Sequence, residues 1–444
     1  MAQGAGRSTA RRRGAGIAAV CAASLLVAGC VGSSGAGSEG GTPSSPTAPG
    51  RSSIPSAPQI PSTPQTQSAP STPGPGAAPP ESRPAADYAV DLTPADAASG
   101  VNPAAGATVS VSGATLEAVD VRPSAGGTSV DGEFSHDTAT WTTTQRLAFD
   151  TEYSVDYSVL DAAGQVQRGR STFTTVEPAN EADASMFPLD GSTVGTGQPL
   201  EFTFSEPVTN RAAVEQAITV TSSSGQEGAF YWLPDRTGKV SDTVVRYRPE
   251  TFWAPNSTIT VRADLFGVDF GSGMIGNGDT TMTVRTHDTR LAVVDNATKT
   301  MKVYLDGTLE RTFPVTLGTD EWPSTEGYMV VMENYETTRF TAESIGLHPG
   351  DPAYYPPTVV NHASRLSNGG AFVHEALPAA QVALGEVNVS HGCIGMSPEG
   401  AEYFYDTFGP GDVVQILGTD YGPMYVEDGF GDWNVPWDQW VGQD

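Results

Sequence analysis

Cys393 stands in the run Ser390-His391-Gly392-Cys393-Ile394-Gly395-Met396, and a second histidine, His374, lies nineteen residues upstream. A thiol becomes a useful nucleophile at neutral pH only when something lowers its pKa or takes its proton. Two imidazoles are at hand for that. If the run is extended, His391 and Cys393 share one face. Gly392 between them would let a substrate carbonyl come close to the backbone, where the N–H groups of Gly392 and Cys393 would form an anion hole. A nucleophile, a candidate base and oxyanion donors thus fall within about twenty residues. The alternative is a cysteine packed inertly in a core. Cysteine usage argues against it.

The chain has three cysteines, Cys21, Cys30 and Cys393. Arg7 and Arg11 to Arg13 precede the apolar run GIAAVCAASLLVAG, which is too short to be a permanent membrane span. The run ends in Val27-Ala28-Gly29-Cys30, similar to a bacterial lipobox. Residues 1–29 read as a lipoprotein signal peptide whose removal takes Cys21 with it. Lipidation would then occupy the Cys30 thiol and anchor the chain on the outer face of the cell membrane. Cys393 would remain as a lone free thiol, safe from disulfide capture in an oxidising compartment. The formal charge is −28, and the leader holds four Arg and no acid, which leaves −32 for the rest. So acidic a chain is a poor partner for nucleic acid.

Positioning these residues requires folded domains, and the composition changes sharply along the chain. Residues 30–86, rich in Ser, Pro and Gly, bury too little apolar surface to fold and read as a disordered tether. Residues 87–180 and 181–288 carry alternating apolar runs with frequent turns, the pattern of two immunoglobulin-like β-sandwiches. Trp141, Trp232 and Trp253 within them read as core. A third β-rich unit, 289–420, begins with strands around a hairpin turn at Asp306-Gly307. Residues 338–369 lose periodicity and read as a lid or binding loop. The strand AFVH ends in His374, and Ser397-Pro398 starts a short helix through EGAEYFYDTF. The tail, 421–444, holds Trp433, Trp437 and Trp440 and is expected to dock on a neighbouring domain.

His374, fifteen residues, then Ser390-His391-Gly392-Cys393 resembles the signature of the L,D-transpeptidases of mycobacterial type. The opening VDNATKTMKVYLDG and the tail GDWNVPWDQW resemble the same family. The resemblance implies a mainly β protein in which the two sandwiches precede a β-sandwich catalytic domain with a lid. It implies Cys393 as nucleophile, His374 as general base and acid, and the Glu375 carbonyl orienting the imidazole. Ser390, His391 and Gly392 belong to the motif. Gly369 and Gly370 match a substrate-contacting pair, and Tyr354 or Tyr355 matches a lid tyrosine. The implied partners are peptidoglycan stem peptides, with carbapenem β-lactams as covalent inhibitors. No cofactor or metal is implied.

Three positions depart from the family pattern. Gly395 stands where Asn or Arg is usual, Asn368 replaces an aromatic before the glycine pair, and EALPAA lacks a tryptophan. Weaker affinity for the donor stem is expected, with Gly395→Asn restoring a polar contact. Rival readings are an L,D-carboxypeptidase using water at the same site, a wall-binding scaffold without catalysis, and a zinc hydrolase built on His374, His391 and Cys393. The last would consume the thiol as a ligand.

Overall fold

The structure is a computed structural model that describes residues 88–234 and 240–443. The expected signal peptide and tether, and with them Cys30, lie outside the described residues. The protein is mainly β. Between 89 and 175 two four-stranded sheets face each other and close over Val109, Val121, Trp141, Tyr153 and Phe173. Between 184 and 286 a second pair of sheets closes over Phe202, Val245, Trp253, Val261 and Val284. Trp141, Trp232 and Trp253 are all buried, as expected of core residues. Alternation produces this directly. In Thr258–Ala263, Ile259, Val261 and Ala263 point inward while their neighbours face out.

The third unit is one ten-stranded sheet. Its strands are β1 (Arg290–Asp295), β2 (Thr300–Leu305), β3 (Thr308–Thr316), β4 (Thr325–Val330) and β5 (Glu333–Phe340). They continue as β6 (Thr358–Arg365), β7 (Phe372–Glu375), β8 (Ile394–Met396), β9 (Val413–Leu417) and β10 (Tyr421–Pro423). The spatial order is β5-β6-β7-β8-β3-β2-β1-β9-β4-β10. One helix, α1 (Pro398–Thr407), starts where Ser397 accepts the N–H of Gly400 with Pro398 in the first turn. Ala401, Phe404 and Phe408 recur at helical spacing and pack with Phe313, Val373 and Met396. The irregular segment is shorter than the sequence pattern suggests. β5 continues to Phe340 and β6 starts at Thr358, so the lid is 341–357.

The tail docks as expected, and the partner is the second sandwich. Trp440 is fully buried, stacks on Tyr231 with ring centroids 4.5 Å apart, and donates its indole N–H to Ala229 O at 2.9 Å. The Arg248 guanidinium lies 4.2 Å from the Trp440 ring and 4.8 Å from that of Trp433. Burial among these rings pushes its pKa down to about 10. Arg246 ties the tail further, reaching Asp432 at 2.9 Å and Glu201 at 2.7 Å. The sheet that carries Cys393 is therefore fixed to the sandwich before it by aromatic packing and buried charge.

Candidate active site

The site is set by a parallel pair at the centre of the sheet. β7 and β8 run side by side with Val373 opposite Ile394, His374 opposite Gly395 and Glu375 opposite Met396. Parallel strands need a crossover, and here residues 376–393 supply it. β7 is entered through the Gly369-Gly370 turn. Gly370 sits at φ +98°, a conformation that L side chains rarely adopt. The crossover re-enters the sheet through a second such residue, Gly392 at φ +112°. Ser390 to Cys393 is therefore a turn rather than extended chain, and the strand starts only at Ile394.

Hydrogen bonds fix that turn. Ser390 Oγ donates to Cys393 O at 2.6 Å and accepts the Gly392 N–H at 3.2 Å. Ser324 Oγ donates to Gly392 O at 2.9 Å. The Gly392 N–H is thus occupied, and would have to leave Ser390 before it could serve an oxyanion. Alternation along the sequence gave no sign of this, because it follows from the turn.

Cys393, His374, His391, Ser390, Tyr355 and Gly395 come together around one cavity of about 200 Å³. His374 is buried, and its ring meets that of Phe340 edge-on at 5.1 Å. Its Nδ1 lies 2.7 Å from Glu375 O; a carbonyl only accepts, so Nδ1 carries the proton and Nε2 is left as the basic nitrogen. Burial lowers its pKa below the usual imidazole range, against the raising effects of that hydrogen bond and of the Glu375 carboxylate. The Cys393 thiol is 3.5 Å from Gly370 O, and burial pushes its pKa up to about 11. Burial thus favours the uncharged form of each group, a thiol and a neutral imidazole lining the same cavity. Such a thiol needs a base, and His374 is arranged as one.

His391 is committed elsewhere. Its Nε2–H donates to Ala353 O at 3.0 Å, and its ring is flanked by Tyr355 at 5.3 Å and Trp322 at 5.7 Å. It joins the motif turn to the lid. The Tyr355 hydroxyl is pushed up in pKa by burial first and by the neighbouring Cys393 second, which places that ring close to the thiol. Tyr354 is turned to Glu343 instead. Gly369, Gly370 and Gly392 line a second depression of about 450 Å³, with Trp322 and Asp428, and His391 is common to both. The Gly369 N–H donates to Asp428 Oδ1 at 2.5 Å.

Gly395 lines the first cavity but has no room for a side chain. An added Cβ would come within 2.8 Å of Thr316 Cγ2 and 3.2 Å of Ala376 Cβ. Thr316 is itself buried and donates to Val387 O at 2.9 Å. Asparagine here would have to displace that residue, so the expected gain from Gly395→Asn is withdrawn. Sequence reasoning also missed Phe340, Trp322 and Ser324. Each lies far from the motif in the chain, Phe340 at a strand end and Trp322 and Ser324 in the loop before β4, and only the fold brings them near.

Two family models match the chain: a bacterial Ig domain over residues 98–269, and the L,D-transpeptidase catalytic domain over residues 289–416. L,D-transpeptidase 2 of Mycobacterium tuberculosis is 36% identical over 345 residues, covering 77% of this chain and 81% of the relative. L,D-transpeptidase 5 of the same organism is 31% identical over 344 residues, covering 77% and 73%. A solved L,D-transpeptidase from Mycobacterium smegmatis is 30% identical, covers 54% of this chain and 99% of its own, and superposes with a TM-score of 0.43. With a relative of that identity matched over most of both lengths, the chain belongs to the L,D-transpeptidase family.

Proposed function

We propose that the chain forms 3→3 cross-links in peptidoglycan through a thioester on Cys393. The observation that carries this is the thiol and the Nδ1-protonated imidazole in one cavity, with the proton resting on sulfur. His374 Nε2 takes that proton as Sγ attacks the carbonyl of the third stem residue, a diaminopimelate. The C–N bond to the terminal D-alanine breaks, and the imidazolium returns the proton to the leaving amine. The side-chain amine of a second stem then attacks the thioester, forming the new amide and giving back the thiol. A carbapenem would acylate the same sulfur by opening its lactam ring.

The test is to incubate the purified protein with disaccharide-tetrapeptide and weigh the products. Cross-linked dimers with loss of D-alanine are expected. Shortened monomers alone would mean that water is the acceptor and the enzyme is an L,D-carboxypeptidase. Unchanged substrate would favour a wall-binding scaffold.

The same reading places the protein on the extracytoplasmic face of the cell membrane, anchored by lipid at Cys30, with residues 31–86 as tether. It rests on the leader sequence. Cys30→Ala is expected to move the protein from the membrane fraction to the soluble one. Retention on washed membranes would count against the anchor.

A further inference from the structure

Glu375 does two things at once. Its carbonyl receives the His374 Nδ1–H at 2.7 Å, and its side chain, one place along the strand from His374, reaches Asn361 instead. There the carboxylate is held rather than loose. Asn361 Nδ2 donates to Oε2 at 3.1 Å, and His362 Nδ1 lies 4.0 Å from the same oxygen. His362 is fixed in turn, with its backbone at φ +46° and its ring 5.5 Å from that of Tyr405 on α1. Its Nδ1 is buried without a hydrogen-bond partner, and the carboxylate oxygen 4.0 Å away is at ion-pair distance only. The side chain of Glu375 is about one-fifth exposed, enough burial for its charge to be felt across one strand.

We propose that the Glu375 carboxylate, clamped by Asn361 and faced by His362, is a positioning residue that stabilises the His374 imidazolium formed when the thiol gives up its proton. This deepens the thiol–imidazole reading above and rests on it. The imidazolium is the transient charge of the acylation step, and an anion on the residue that already orients the ring lowers the cost of forming it. The direction of the Glu375 effect on His374 agrees, since the carboxylate raises its basicity where burial lowers it. Other titratable groups face the pair from each packed element. They are His362 from β6, Tyr405 from α1, Tyr355 from the lid, and Cys393 and His391 from the motif turn. The lid also carries the Glu343 carboxylate, which acts on Tyr354 and Tyr355, whereas the anion acting on His374 is Glu375.

The test is the pH profile of acylation by imipenem, followed by mass on the full chain across about pH 4 to 9. Glu375→Gln keeps the size and the acceptor for Asn361 but removes the charge. Its acid limb is expected to move to lower pH by about half a unit to one unit, and its plateau to fall by about three- to tenfold. Glu375→Asp keeps the charge, and its limb should stay near that of the wild type. A Glu375→Gln profile that superimposes on wild type overturns the proposal. So does a Glu375→Asp limb displaced as far as that of Glu375→Gln, which would mark a packing effect. If Glu375→Gln does not melt cooperatively, Asn361→Ala replaces it. That variant frees the carboxylate, and the limb should move the same way by less; an unmoved limb overturns the proposal. The underlying reading fails separately, when Cys393→Ala is still acylated or when His374→Ala leaves the wild-type profile unchanged.

Discussion

Cys393→Ala is expected to abolish both dimer formation from disaccharide-tetrapeptide and the mass adduct with a carbapenem, while the protein still melts cooperatively. The sulfur lines the same cavity as the imidazole, and Cys393 is the free cysteine of the described residues. The neighbouring hydroxyl cannot stand in for it. Ser390 Oγ is spent between Cys393 O and the Gly392 N–H. Loss of the side chain leaves a small void at a half-buried position, so stability should fall modestly. The measurement is intact mass after incubation, beside a thermal melt. A persisting adduct in the alanine variant would move the nucleophile elsewhere and sink the proposed mechanism.

His374→Ala is expected to slow acylation by roughly 10²–10⁴-fold at neutral pH, with the thiol still present. The pH dependence carries the sharper signature. In the wild type the imidazole must be neutral to accept the proton, and burial holds its pKa below the usual imidazole range. Its acylation rate should therefore be flat from pH 7 to 8 and fall only on the acid side. Without the base, the reaction depends on spontaneous ionisation of a thiol whose pKa is about 11. The rate of the variant should then climb about tenfold per pH unit over the same range. Stopped-flow acylation at several pH values checks it. A flat profile in His374→Ala would assign the base role to His391, which would first have to release Ala353 O.

The sequence made the chemistry legible because the family signature is compact. His374 and Cys393 are separated by one crossover, so their types and spacing could be read without knowing the sheet. The two sandwiches were legible for a different reason: alternation in runs such as Thr258–Ala263 marks buried and exposed faces residue by residue. Ser397-Pro398 marked the helix start through capping alone. What stayed hidden depends on pairing across long separations. Gly395 reads as a lost contact in sequence, but it is a close approach to Thr316, seventy-nine residues earlier in the chain. The extended reading of Ser390 to Cys393 failed because Gly392 bends the chain, with Ser324 holding its carbonyl. The lid was drawn too wide because polar residues at 337–339 pair with 359–361 in strands that have little apolar alternation.

The high pKa of Cys393 has a consequence for how the protein survives. Peroxides and disulfides react with thiolates, and a thiol held at about 11 is ionised in roughly one molecule in ten thousand at pH 7. A sulfur of ordinary acidity would offer such reagents a few per cent of thiolate at all times. On the proposed mechanism the anion would form only when His374 takes the proton as an electrophile sits in the cavity. The same burial that makes the thiol depend on His374 would also, on that mechanism, keep it from idle oxidation.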